Sequence, residues 1–563
     1  MKTNHASVTA YFSMEIAFDS AVPVYAGGLG VLAGDSLRAA ADLGIPMVAV
    51  TLLHREGYFR QTLSEAGEQQ ESPDRVDPDV AFEAVDARTT IELEGRKVHV
   101  RAWRYVVRGR TGATVPVLLL DTDMAENAAQ DRALSRTLYG GDSGYRLAQE
   151  ALLGVGGVRM LRAAGYSRVT CFHMNEGHSA LLVSELLREE VQAADRPGDV
   201  ESHVEAVRAR CVFTTHTPIA AGHDRFDAQL AARVLPRGMT EPASLFFKDG
   251  WLDMTHTALS FSRWVNGVSR KHAEVCRRMF PGVSVEGITN GVHPGTWIAA
   301  PMAELFDRVC EGWRDDAQQL RLALRAEVGE VLAARRRTKA LLLERVERLT
   351  GQRLDAGVFT IGIARRATGY KRLDLILRNA ARLHSIAANG GGLQLVFAGK
   401  AHPKDGTGHE VIRRINDLSR ETGTQVHVTF LPGYDMDLAA SVVSGVDLWL
   451  NTPIAPLEAS GTSGMKAAMN GVPSLSVLDG WWCEGCVEGV TGWGIGDGRE
   501  GGGEEADERD SSSLYEKLEN SILPVYHGSR VEWARVCVHA IAVNGAYFTT
   551  QRMMREYAER AYR

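Results

Sequence analysis

The chain has 563 residues, of which 45% are hydrophobic and 24% charged, with 57 Gly and 18 Pro. That make-up suits a globular protein too long for a single ordinary core and argues against collagen-like, coiled-coil and disordered classes. A formal net charge of -7 argues against nucleic acid or an anionic membrane as the main partner, because basic surfaces hold both.

Short β-branched or aromatic runs alternate with longer amphipathic stretches along the chain, the pattern of βαβ units and parallel sheet. The start, MKTNHASVTAYFSMEIAF, has no basic segment followed by an apolar core and cleavage site. Predicted strands are VTAYFSM (8–14), PMVAVTLL (46–53), VPVLLLDT (115–122) and RCVFTTH (210–216), then VFTIGIA (358–364), LQLVFAG (393–399), VHVTFLP (426–432) and VDLWLN (446–451). Predicted helices include 34–44, 145–165 and 409–423. Residues 298–355 are helix-forming, charged and nearly free of Gly. They divide an N-terminal domain, 1–297, from a second α/β domain, 356–530. The tail, 531–563, is predicted to be helical and to pack back across the boundary. The polar, glycine-rich segment 496–513 is predicted to be an exposed mobile loop.

No run of about 18 apolar residues occurs, and the seven cysteines are an odd number scattered through apolar segments, so reduced thiols in a cytoplasmic protein are expected. Cys483 and Cys486 form a lone CxxC, weak support for zinc, and no two of His178, His216 and His223 are spaced to share a helix face with Glu176, so no metal is expected.

Three motifs carry the chemistry. In YAGGLGVLAGDS (25–36) the glycines let backbone amides approach a ligand and the next helix can face an anion. Gly28, Gly30 and Ala33 also fit a GxGxxA dinucleotide fingerprint, but His54 and Arg55 follow the next strand where an acid for a ribose is needed. In ARRATGYKR (364–372), Arg365, Arg366, Lys371 and Arg372 begin where an open sheet places its crevice, which favours an anion site over a solvated helix face. In EASGTSGMK (458–466), Ser460 to Gly464 can wrap an anion and Lys466 lies in the first turn of the following helix. A desolvated lysine there is a candidate to form an imine, and a surface lysine is the alternative. Asn290 and His293, in ITNGVHPGTW, contact a polar ligand or cap a turn.

Together these segments resemble the α-glucan phosphorylases, the glycogen and maltodextrin phosphorylase family, from YFSMEIAFDS to GAYFTTQRMMREYAERAY. The resemblance implies an α/β fold of two Rossmann-like domains facing a cleft, the glycosyltransferase B architecture, and pyridoxal 5'-phosphate (PLP) bound as an imine on Lys466. It also implies roles. Thr462, Ser463 and Gly464 hold the cofactor phosphate with Arg365 and Lys371, while Tyr434 and Trp297 line the cofactor pocket. Arg366 and the Gly28 amide bind the substrate phosphate. Tyr370, Glu458, Ser460 and Gly461 contact glucose, and His216 and Asn290 meet the sugar near its 6-hydroxyl.

The implied reaction is phosphorolysis of an α-1,4-glucan such as glycogen, starch or maltodextrin, giving glucose 1-phosphate with retained configuration, in an enzyme that is commonly a homodimer. Arg365 stands where the family often has lysine, Ser463-Gly464 replace Gly-Asn, and Ser143 stands where many members have an asparagine. A glycogen-synthase-like transferase carries Glu-x7-Glu where this chain has Glu458-x7-Lys466, and a silent carbohydrate-binding protein has no use for a second phosphate site.

Overall fold

The computed structural model describes residues 7–18, 20–193, 200–420 and 425–563. The leader reading of residues 1–6 and the last three residues of predicted helix 409–423 lie outside these. Two mainly parallel sheets organise the chain. The larger has nine strands in the spatial order Glu286–Gly287, Trp264–Gly267, Cys211–Thr214, Val169–Asn175, Val8–Phe12, Met47–Leu52, Thr114–Asp121, Arg96–Arg108 and Glu83–Leu93. The first seven are mutually parallel and the last two form an antiparallel hairpin. The smaller sheet is wholly parallel, in the order Val426–Leu431, Leu393–Ala398, Phe359–Ala364, Leu448–Asn451, Ser474–Val477 and Gly492–Ile495.

Strands covered on both faces read as nearly continuous apolar runs. Met47–Leu52, Phe359–Ala364 and Leu393–Ala398 are buried at each residue, and all eight strands predicted from such runs are present.

The order of each sheet reverses once. The larger sheet grows from Val8–Phe12 through Met47–Leu52 on one side, then resumes on the other side with Val169–Asn175. The smaller grows from Phe359–Ala364 and resumes with Leu448–Asn451. A crevice opens at the carboxyl ends where the order reverses, because the connections leave to opposite faces. Asn175 ends a strand at the first reversal, and Arg365 directly follows one at the second.

The loops at these strand ends meet. Ser269 Oγ donates to the Ala459 carbonyl at 2.7 Å, and Asn470 Nδ2 donates to the Trp297 carbonyl at 2.8 Å. A hairpin of the first half, Arg60–Leu63 and Gln69–Ser72, also reaches the smaller sheet. Its buried Gln61 and Gln69 are bonded to each other at 2.9 Å, and to the backbone of Gly399, Ala401 and Gly433 at 2.7 to 3.0 Å.

Segment 496–513 corrects the sequence reading. Glu504–Lys517 is a helix with Glu504, Glu505 and Asp507 in its first turn, where acidic side chains complement the helix dipole. Asp507 and Asp510 accept from the buried guanidinium of Arg372 at 2.8 and 2.6 Å, so much of this segment is anchored rather than a mobile loop.

The helix Val328–Thr350 packs along the smaller sheet. Its Lys339 Nζ lies 2.6 Å from Asp447 Oδ2 and donates to the Val358 carbonyl at 2.7 Å. Removing one partner of a buried pair strands the other charge, so Lys339→Met is expected to cost about 3–5 kcal/mol. Urea unfolding checks this; an unshifted midpoint would show that the pair contributes nothing. The helix Thr550–Arg560 lies against the larger sheet, where Tyr557 Oη accepts from Asn266 Nδ2 at 2.9 Å. Among the described residues, no helix is long and apolar enough to cross a membrane.

Candidate active site

The glycine motif opens the helix Gly28–Leu43 but does not follow a strand directly, since residues 13–27 intervene. The turn is held from below by Glu15, 1% exposed, which accepts from the amides of Ala26 at 2.6 Å and Gly27 at 3.1 Å and from Tyr139 Oη at 2.9 Å. Gly30 is required by this contact, because a Cβ there would lie 2.6 Å from Glu15 Oε2. At Gly28 a Cβ would meet no atom within 4 Å, so the first turn of the helix faces open space. Opposite stands Arg366, its Nη2 only 2.9 Å from where a Cβ on Gly27 would be.

The second reversal carries the other cations. Arg365 is buried; one nitrogen donates to the Leu450 carbonyl at 2.5 Å, while Nε and Nη1 have no partner. Burial without full compensation pulls this guanidinium down to about 10, against the charge of Glu458. Two buried guanidinium nitrogens without partners are costly, which is the condition of a site built to receive an anion. Lys371 is ion-paired with Glu458 and lies 4.8 Å from the ring centroid of Tyr370.

The loop 458–462 folds over Asp479, which accepts from the amides of Glu458 at 2.8 Å and Gly480 at 2.9 Å. Burial raises this carboxyl to about 7 against those bonds. Gly461 has φ +84°, a conformation that favours glycine. Ser460 Oγ is buried without a partner. Thr462 occupies the cap position before the helix Ser463–Met469, and Ser463 Oγ accepts from Trp449 Nε1 at 3.1 Å.

Lys466 is 7% exposed, so it is not a surface lysine. Its Nζ sits 3.6 Å from the ring centroid of Trp297. Burial lowers the ammonium to about 8, opposed by the charge of Asp35. Tyr434 lies in the same apolar cluster, and its Oη donates to the Ala364 carbonyl at 3.5 Å.

At the first reversal the His216 ring bonds Asn175 Oδ1 at 2.7 Å and its amide donates to Glu176 Oε2 at 2.7 Å. Burial pushes the ring down to about 4, against the charge of Glu176, so it is neutral near pH 7. Burial alone would raise the Glu176 carboxyl, but the rings of His216, His223 and His178 and the His216 amide hold it below its ordinary value. Asn290 is buried with an unpartnered Oδ1. Ser143 is exposed at the start of the helix Ser143–Ala151; in the same loop the Gly141 carbonyl accepts from Lys404 Nζ of the opposite half at 3.1 Å.

The structure therefore brings Arg365, Lys371, Tyr370, Tyr434 and Glu458 to one reversal and His216 to the other, with Arg366 and the glycine turn between them and Lys466 against Trp297. Sequence reasoning missed Glu15, Asp35, Asn175 and Asp479. Each is a polar residue closed inside an apolar neighbourhood, and only the odd acid in SMEIAF or VLAGDS signals it in the sequence.

A profile of the carbohydrate phosphorylase family matches residues 243–487. The maltodextrin phosphorylase of Thermococcus litoralis is 36% identical over 98% of this chain and 70% of its own length. The glycogen phosphorylase of Aquifex aeolicus is 32% identical over 98% and 85%. An uncharacterized protein of Methanocaldococcus jannaschii is 31% identical over 99% of both chains. The chain belongs to the carbohydrate phosphorylase family.

Proposed function

We propose that the protein is an α-glucan phosphorylase that uses PLP and inorganic phosphate to shorten an α-1,4-glucan by one unit, giving glucose 1-phosphate with retained configuration. The observation that carries this reading is the set, near the ends where the sheets reverse, of a buried amine, a buried guanidinium with two unpartnered nitrogens and a second guanidinium facing an open glycine turn. The two sheets are the cores of two Rossmann-like domains, 1–297 and 356–530, in the glycosyltransferase B arrangement, with 298–355 connecting them and 531–563 returning across the boundary.

The residues present fit the cofactor. Lys466 would hold it covalently, with Trp297 and Tyr434 lining its pocket, and Arg365, Lys371, Thr462 and Ser463 would hold its phosphate. When bound, PLP supplies a phosphate acid–base group beside the substrate phosphate. Arg366 and the Gly28 amide bind that substrate phosphate. Glu458, Ser460, Gly461 and Tyr370 orient the glucose, with Ser143 at the rim. His216 and Asn290 hold the sugar near its 6-hydroxyl, and the His216 carbonyl faces the anomeric carbon.

Two phosphates of about -1.5 to -2 charge each must sit side by side. At about 5 Å and an effective dielectric of about 20, each pair of unit charges repels by roughly 3 kcal/mol. Arg365, Arg366 and Lys371 offset that repulsion and bring the phosphate proton affinities into a useful range.

The purified protein is expected to show an absorbance band above the aromatic region that borohydride bleaches, leaving a pyridoxyl mass on the peptide that contains Lys466. No band and no added mass would overturn the cofactor assignment.

A further inference from the structure

Asp35 belongs to none of the roles assigned so far, yet it touches the floor of the lysine pocket. It lies on the helix whose first residue is Gly28, seven positions on. Seven residues are two turns, so the two share one face, about 10 Å apart along the axis. Asp35 is 1% exposed. Its Oδ2 accepts from Trp297 Nε1 at 2.6 Å and from the His293 amide at 3.1 Å, and its Oδ1 pairs with Arg38 at 3.2 Å. The indole so held carries Lys466 Nζ over its ring at 3.6 Å.

An anion bonded to the indole N–H fixes the plane of the ring and adds electron density to it, and both effects favour a cation over its face. The charged and titratable groups around this stack are Asp35 and Arg38 on the glycine helix, His293 on the turn, and Tyr25 and Tyr434 in the surrounding apolar cluster. The His293 ring is turned away toward Asp42 at 3.0 Å and Thr296 at 2.8 Å, and Tyr25 Oη is tied to the Met436 amide at 3.1 Å. Asp35 is the carboxylate that faces the stack.

We propose that Asp35 is a positioning residue for Lys466, which sets the attitude of the amine through the Trp297 indole and places a negative charge beside it. This rests on the reading of Lys466 as the cofactor lysine. The charge works against burial, so Asp35 keeps the amine protonated to a higher pH than the apolar pocket alone would allow. Attachment needs the neutral amine. Its rate therefore rises with pH up to about 8 in the native protein, and removing the Asp35 charge moves that rise to lower pH.

The test is arylation of Lys466 in the cofactor-free full chain by 1-fluoro-2,4-dinitrobenzene, which reacts with neutral amines by losing fluoride and a proton. The reaction is followed by peptide mass from pH 6 to 10, in parallel with PLP uptake trapped by borohydride. Asp35→Asn, nearly isosteric, is expected to react about tenfold faster at pH 6.5, the factor that one pKa unit represents, and at the native rate at pH 9.5. In a Trp297→Phe background the same change is expected to shift the profile by less than half as much. Should Asp35→Asn fail to fold, Asp35→Ser carries the same test.

An unshifted profile with normal PLP uptake would overturn the role of Asp35 and leave the cofactor reading intact. A shifted profile with no PLP uptake by the native chain would overturn the cofactor reading and leave the effect of Asp35 on the amine. A rate changed equally at every pH would mean that Asp35 only supports the fold, and would also overturn the proposal.

Discussion

Lys466→Ala is expected to lose the cofactor and phosphorolysis together, with activity falling by at least about 10⁴-fold, the scale on which removing a group essential to the whole chemistry acts. The amine lies over the ring of Trp297, whose apolar cluster includes Met465, Met469 and Tyr434. Truncation deletes a desolvated charge without stranding one, since the nearby carboxylate of Asp35 keeps the Trp297 indole, the His293 amide and Arg38 as partners. The fold should therefore survive, and circular dichroism should match the native chain. Borohydride trapping, bound-cofactor assay and initial rate on a glucan with phosphate check the three parts. Native rates in the variant would show that the lysine has no part in the reaction.

Arg366→Ala is expected to behave differently, keeping PLP while kcat/KM for phosphate drops about 10²–10³-fold, roughly 3–4 kcal/mol of transition-state stabilisation. Arg365 and Arg366 are neighbours in sequence but not in environment. Arg365 is buried beneath the strand ends and is fixed by the Leu450 carbonyl. Arg366 is exposed and projects across the crevice to Gly27. Loss of the exposed arginine should leave thermal stability within about 0.5 kcal/mol of native. Arg365 and Lys371, proposed to hold the cofactor phosphate, remain in the variant. Equal phosphorolysis in the variant would remove Arg366 from the substrate phosphate site.

The uneven legibility of the sequence has a physical cause. Strands sheathed on both faces are nearly continuous apolar runs, so VFTIGIA and LQLVFAG are legible as strand despite the buried Thr360 and Gln394. The hairpin Glu83–Leu93 and Arg96–Arg108 has mixed burial and carries charges along its length, so its sequence lacks the apolar run that marks the other strands. Segment 496–513 reads as loop because it is polar and glycine-rich, yet its second part opens the helix Glu504–Lys517, and two acids there answer Arg372, more than a hundred residues away. The lysine motif and the cation cluster were legible because each lies in one short stretch. Glu15, Asp35 and Asp479 were not, because their partners come from other parts of the chain and a single acid in an apolar run looks incidental.

The glutamine pair in the Arg60–Ser72 hairpin has a mechanical consequence. Gln61 and Gln69 belong to one half of the molecule yet satisfy backbone groups of the other. Parting the halves would break several bonds at once and exchange them for bonds to water, an opening cost that a bare hinge lacks. For the same reason the halves should melt as a single cooperative unit.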